Sequence, residues 1–121
     1  MKMQYFSRER IKLNLSNQNI TYDGRDIALI YKEIDFILCS LHAMGSFYYD
    51  KENNLYESET TKFIDNSLIC ERLAAIRAKL DIKIDSQIGN DEKDDMERIC
   101  ENTPYWKKPG DYCKEIWIKE F

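Results

Sequence analysis

The sequence predicts a mainly α-helical protein: about three packed helices, with a small β-hairpin or short strands contributed by the N- and C-terminal segments. Three observations carry that expectation. Apolar residues recur at steps of three and four through two long stretches, the spacing of a helix face. Apolar–polar alternation, the spacing of a half-buried strand, is confined to a few residues near the start. Only 4 Gly and 2 Pro interrupt 121 residues, so few points force the chain to turn. An α+β arrangement is the alternative, if the terminal segments assemble a sheet. A chain of this length supports one hydrophobic core, so residues 1–121 read as a single domain.

In chain order, Ile11, Leu13 and Leu15 alternate with Lys12 and Asn14. Residues 16–19 carry turn chemistry, and Ile20 and Tyr22 supply a short return strand. A lone hairpin is marginal in water, so it must pack on helices or gain a strand. Residues 115–119, with Ile116, Trp117 and Ile118, offer that third strand, or else a final helix capped by Asp111.

The first helix is expected from Asp26 to Met44, with Ile27, Ile30, Ile34, Ile37 and Leu41 on its buried stripe. Asp23 or Asp26 suits its N-terminus, and Gly45 suits its stop. The second helix is expected from Thr61 to Leu80. Its buried stripe is Ile64, Leu68, Ile69, Leu73, Ile76 and Leu80, and Ala74, Ala75 and Ala78 allow a neighbour to approach closely. Residues 85–90 read as a connector. Asn90 then caps a short helix to Glu101 that turns Met96, Ile99 and Cys100 inward. Pro104 and Pro109-Gly110 follow in an irregular segment bearing Tyr105 and Trp106.

Composition excludes several classes. The hydrophobic fraction of 43% and charged fraction of 33% fit a folded water-facing chain rather than a disordered one. The longest apolar run, Ile27 to Tyr31, is far short of the roughly 18 residues of a membrane span. Residues 1–10 lack the apolar core of an export signal, which predicts a cytoplasmic protein. An excess of Ile, Lys, Asn and Tyr over Ala, with no Val at all, points to an AT-rich bacterial or phage gene.

Cys39, Cys70, Cys100 and Cys113 form no C-x-x-C pair, so they read as reduced thiols packed as small hydrophobes. His42 follows Cys39 by three residues, but a metal would need Cys70 or a carboxylate to join them. The pair is read as a helical histidine beside a buried cysteine, with no metal and no cofactor. No G-x-S-x-G elbow, phosphate-binding glycine loop or dinucleotide fingerprint occurs. Carboxylate neighbours such as Asp94/Asp95 and Asp81/Asp85 are too common to signify acid–base chemistry on their own. No catalytic residue is assigned, and the chain is read as a non-enzyme.

Charge is more informative. The net charge is −4, yet residues 91–97 hold five acids and one base, and residues 47–59 hold four acids and one base. Lys2, Arg8, Arg10 and Lys12 make the start basic. An acidic surface repels phosphate and speeds encounter with a cationic protein, so nucleic acid is not the expected partner. Within 47–59 the acids lie among Phe47, Tyr48, Tyr49 and Tyr56. Tyrosine gives large contact area at low entropy cost, as the centres of protein interfaces require. The competing reading packs those rings under a loop. Partner contacts are therefore expected first at Tyr48, Tyr49, Asp50, Glu52, Tyr56, Glu57 and Glu59. Asp91, Glu92, Asp94 and Asp95 come second, in a run that also suits a helix's first turn.

Tyr48, Tyr49 and Asp50, with Glu52 beyond them, resemble the Tyr-Tyr pair and acids of bacterial toxin-immunity proteins, including those of colicin-type nucleases and contact-dependent inhibition systems. The resemblance implies a small cytoplasmic inhibitor that occludes a basic toxin domain. A regulatory or assembly adaptor that binds through its helices is the alternative, and an enzyme whose site is assembled from scattered residues ranks below it.

Overall fold

The computed structural model describes residues 11–110. It is mainly helical and falls into two compact units: residues 20–84, and a second unit whose described part is residues 11–19 and 85–110. The third-strand or helix candidate at 111–121, Cys113 and the basic Lys2, Arg8 and Arg10 lie outside the described residues.

The first unit packs three helices, α1 (Gly24–Phe47), α2 (Asn53–Asn66) and α3 (Ile69–Asp81), each against the other two. Asp23 caps α1 by accepting a bond from the Arg25 N–H at 2.7 Å, which satisfies a donor that the first turn leaves unpaired. Gly45 does not stop the helix, contrary to expectation. A single interior glycine costs about 1 kcal/mol, and α1 continues to Phe47, with the Tyr48 N–H donating to the Met44 carbonyl.

The expected second helix is instead two. It begins earlier, at Asn53, so half of the stretch read as a loop is helical. It then breaks at Ser67–Leu68, where Leu68 sits in the left-handed region at φ 54°. Asn66 and Ser67 are residues that compete with helix for backbone bonds. Arg72 holds the break: its Nε donates to the Ser67 carbonyl at 2.8 Å, its Nη1 donates to Glu33 of α1 at 2.7 Å, and its guanidinium lies over the Phe36 ring at 4.5 Å. Phe36 in turn meets Phe63 of α2 at 5.6 Å. One arginine thereby joins all three helices.

At the other end of the unit, the Tyr22 hydroxyl donates to the Leu80 carbonyl at 2.7 Å, and Lys79 pairs with Asp26 at 3.4 Å.

The apolar interior is thin. Among the described residues only Ile30 and Ile69 are buried hydrophobes, each contributing on the order of 2 kcal/mol. Of the stripe expected inside α1, Ile37 and Leu41 are half-buried, whereas Ile27 and Ile34 face solvent. In the second stripe Ile76 and Leu80 are half-buried, while Ile64, Leu68 and Leu73 are exposed. Cys39, Cys70 and Cys100 are free and exposed, not packed as small hydrophobes. Between α1 and α3 runs an open groove of about 450 Å³, floored by Leu29, Ile30, Leu68 and Ile76.

The second unit has no strand among its described residues, so the expected hairpin of Ile11–Leu15 with Ile20–Tyr22 is absent. Leu15–Asn17 forms a 3-10 turn, and the Asn14 N–H donates to Asp95 rather than to a neighbouring strand. Its short helix, α4 (Asp95–Cys100), starts four residues later than expected and is capped by Asp94, not Asn90. Asp94 and Glu97 form a reciprocal capping box, each side chain accepting from the other's backbone N–H. No helix among the described residues is long and apolar enough to cross a membrane.

Candidate protein-binding surface

The first-ranked residues lie on the α1–α2 connection and the start of α2, and the structure sorts them. Phe47 ends α1 and meets the next ring, Tyr48, edge-on at 4.8 Å. Lys51 folds back so that its ammonium donates to the Phe47 carbonyl at 2.9 Å and sits 4.3 Å from the Phe47 ring centre. The Lys51 N–H also donates to the Tyr48 carbonyl at 3.0 Å. These bonds brace the turn. They leave Tyr49 90% exposed and the Asp50 side chain 81% exposed, the latter in a 3.5 Å ion pair with Lys51.

Glu52 is the N-cap residue of α2 without a side-chain capping bond; its carboxylate lies where the helix dipole favours negative charge. Glu57 is exposed one turn on. Tyr56 belongs to the helix face that carries Phe63, and it is only marginally exposed. Glu59 is half-buried and pairs with Lys62 at 3.8 Å, and Tyr48 is half-buried. Tyr49, Asp50, Glu52 and Glu57 are thus the well-exposed members of the set, while Tyr48, Tyr56 and Glu59 are more covered. Beside Tyr49 lies a shallow depression lined by His42, Gly45 and Ser46.

The second-ranked acids do different work. Asp91 accepts two bonds from Arg98, from Nε at 2.7 Å and Nη2 at 2.9 Å. That guanidinium holds the Asp91 carboxyl far below the usual range, and Asp91 pushes Arg98 up in return. Asp94 is occupied in the capping box. Asp95 is fully buried, which removes it from any partner-facing surface. Its Oδ2 accepts from the Asn17 amide at 2.9 Å and the Asn14 N–H at 2.8 Å, and its Oδ1 accepts from Arg98 Nη1 at 2.9 Å. Those donors, Asn17 foremost, depress its pKa against the opposing effect of burial. Glu92 stands exposed on the turn at φ 63°.

Three residues of this network escaped the sequence reading. Asn17, only 3% exposed, donates to the Asp85 carbonyl at 2.9 Å and accepts from the Asp85 N–H at 2.8 Å, so it clasps residues 68 positions apart. Arg98 serves both Asp91 and Asp95 and also donates to the Lys93 carbonyl at 2.9 Å. Gly89 leaves room for it, since an added Cβ would lie 3.0 Å from Arg98 Nη2. No local pattern marks such residues; only Asn17's place in a turn-forming run hinted at a role.

Among the described residues no three His, Cys, Asp or Glu side chains gather as a metal site. Cys39 donates to Asp35 at 3.4 Å, which pushes its pKa up, the reverse of nucleophile activation. Comparison with protein families, curated proteins and solved structures finds no match for the chain.

Proposed function

We propose that this chain is a protein-binding inhibitor of the immunity type, which occludes a basic partner, a cognate bacterial toxin domain, by its acidic, tyrosine-bearing surface. The observation that carries the reading is Tyr49: a ring 90% exposed on a turn braced by Lys51, followed along the chain by the exposed carboxylates of Asp50, Glu52 and Glu57. A pre-held aromatic loses little entropy on binding, and acids around it pair with Arg and Lys of the partner while speeding encounter. The alternative that these rings merely fill space beneath a loop loses force, because Phe47 and Tyr49 face solvent.

The test is protection. Co-expression with the product of the adjacent reading frame should rescue growth, and the purified pair should associate more slowly as salt rises. Asp50→Lys with Glu52→Lys should slow association at least about ten-fold and flatten the salt dependence, and Tyr49→Ala should speed dissociation. A partner bound equally by wild type and both variants would remove the surface from consideration.

The adaptor reading has its own supporting observation, the exposed apolar residues of α1 and α3. It predicts binding that is indifferent to the acidic substitutions and lost when the groove beside Leu29 and Leu68 is filled.

A further inference from the structure

Helix α1 is apolar on more sides than its own unit covers. Ile30, Ile37 and Leu41 turn inward, while Ile27, Tyr31, Ile34 and Leu38 stand 43%, 71%, 47% and 64% exposed. Those four follow steps of four, three and four, which align them as one seam along about three turns. This is heptad spacing, the pattern by which one helix packs knobs into the holes of another. A helix apolar all round is ordinarily enclosed. Here, two buried hydrophobes leave the unit short of the core that a 65-residue body (residues 20–84) needs.

We infer that the seam Ile27–Tyr31–Ile34–Leu38 binds a second copy of the chain, with the two α1 helices antiparallel about a two-fold axis between residues 32 and 33. The spacing four–three–four reads the same in both directions, as an isologous contact requires. About that axis Ile27 meets the partner copy's Leu38, and Tyr31 meets the partner copy's Ile34, so every exposed seam residue faces another one. The rim agrees. Lys32 and Asp35 are both exposed on the same flank of the seam, and in an antiparallel pair like flanks adjoin. Lys32 of each copy then lies beside Asp35 of the other. In a parallel pair unlike flanks adjoin, which would set both charges toward the side of Ile30 and Ile37, where the acids Asp26 and Glu33 are already paired with Lys79 and Arg72. Four seam residues and their rim make a contact smaller than the roughly 800 Å² per partner of a standard interface, so the dimer is a weak, concentration-dependent one.

Sedimentation equilibrium of the full chain over about 1–200 µM tests this. The expected result is a monomer–dimer equilibrium, with Leu38→Glu monomeric throughout while keeping its helical circular dichroism. Such a charge within the seam should weaken pairing at least about 30-fold. The register is tested by charge. Lys32→Glu and Asp35→Lys should each weaken self-association several-fold, and an equimolar mixture of the two variants should form a heterodimer as tight as wild type. In that mixture the introduced glutamate faces the introduced lysine, and the native Asp35 of one chain faces the native Lys32 of the other. Because that recovery needs two different chains, a defect within one helix cannot mimic it. A wild-type chain monomeric at every concentration would overturn the proposal, whatever covers the seam in its place. Dimerisation unaffected by Leu38→Glu, or single-charge variants that fail to recover on mixing, would overturn it equally.

Discussion

In the three-helix unit the buried side chains are Ile30 and Ile69; in the described part of the other unit they are Asn17 and Asp95. The first rests on apolar contact supplemented by Arg72, whose bonds tie the three helices together. The second rests on directional bonds among Asn14, Asn17, Asp85, Asp95 and Arg98. Apolar contact is adaptable and can be shared with another molecule. A saturated polar network cannot, because each group already has its partner and leaving one unpaired is costly. The contrast supports placing the proposed binding surface on the helical unit, which keeps exposed apolar and aromatic side chains, and not on the acidic run 91–97, whose charges are mostly consumed in holding their own fold.

The sharpest way to break this comparison is Asn17→Leu. It leaves one oxygen of the buried Asp95 and both backbone groups of Asp85 short of a bond, and should cost about 3 kcal/mol in urea unfolding. Hydrogen exchange should localise the loss to residues 14–17 and 85–98. Equal loss of protection through α1–α3 would show that the units share one cooperative interior, against that contrast. Ile30→Ala should cost less, about 2 kcal/mol, because a sparsely covered site collapses more readily than a close-packed one.

Acid distinguishes the units without mutation. Asp91 and Asp95 titrate below the ordinary value of 3.8 in the folded chain. Between the folded and ordinary values the unfolded chain binds more protons, so stability is full above about pH 5 and falls as pH drops from about 4 downward. A pH series of exchange or circular dichroism should therefore show residues 85–98 opening before α1–α3. Lys93, raised by its bond to Glu101, works at the opposite end: its contribution persists below the ordinary value of 10.5 and fades above it.

The smallest expected effects sharpen the contrast on the helical side. Leu68→Gly relieves a left-handed conformation that costs a side-chain-bearing residue about 1–2 kcal/mol, offset by glycine's greater freedom when unfolded. The net should be a gain of about 0.5 kcal/mol, read as a slight rise in Tm. Asp50→Lys with Glu52→Lys should cost about 1 kcal/mol or less, chiefly through Glu52 at the α2 N-terminus. A larger change would mean that the acidic surface is structural after all.

Much of the helical plan was legible in the residues. The three–four spacing located α1 to within three residues at each end and marked Ile30, Ile37 and Ile76 as inward. It could not show that α1 carries a second seam, because Ile27, Ile34 and Leu38 satisfy the same period as the inner stripe on a helix rich in isoleucine and leucine. Nor did it find the break at Leu68, since the apolar period continues across it. The candidate surface was half legible: the Tyr-rich acidic stretch stood out by composition, but whether Tyr49 or Tyr56 would face solvent depended on a turn that Lys51 braces. The β-hairpin expectation failed at Asn14 and Asn17, whose polar groups are held by Asp95 and Asp85.

By itself the sequence showed what is local: that α1 and most of α3 are helical, that an aspartate at 23 or 26 begins the first of them, and that acids lie beside tyrosines in 47–59. Periodicity, capping and charge act within a turn or two, so they can be read from neighbours. The tertiary structure alone decided which side of α1 lies inside, how Arg72 gathers three helices, and that Asp95 would be buried against Asn14, 81 residues away. Those outcomes turn on competition among distant groups for the same donors and the same apolar surface, and no window of sequence contains both competitors.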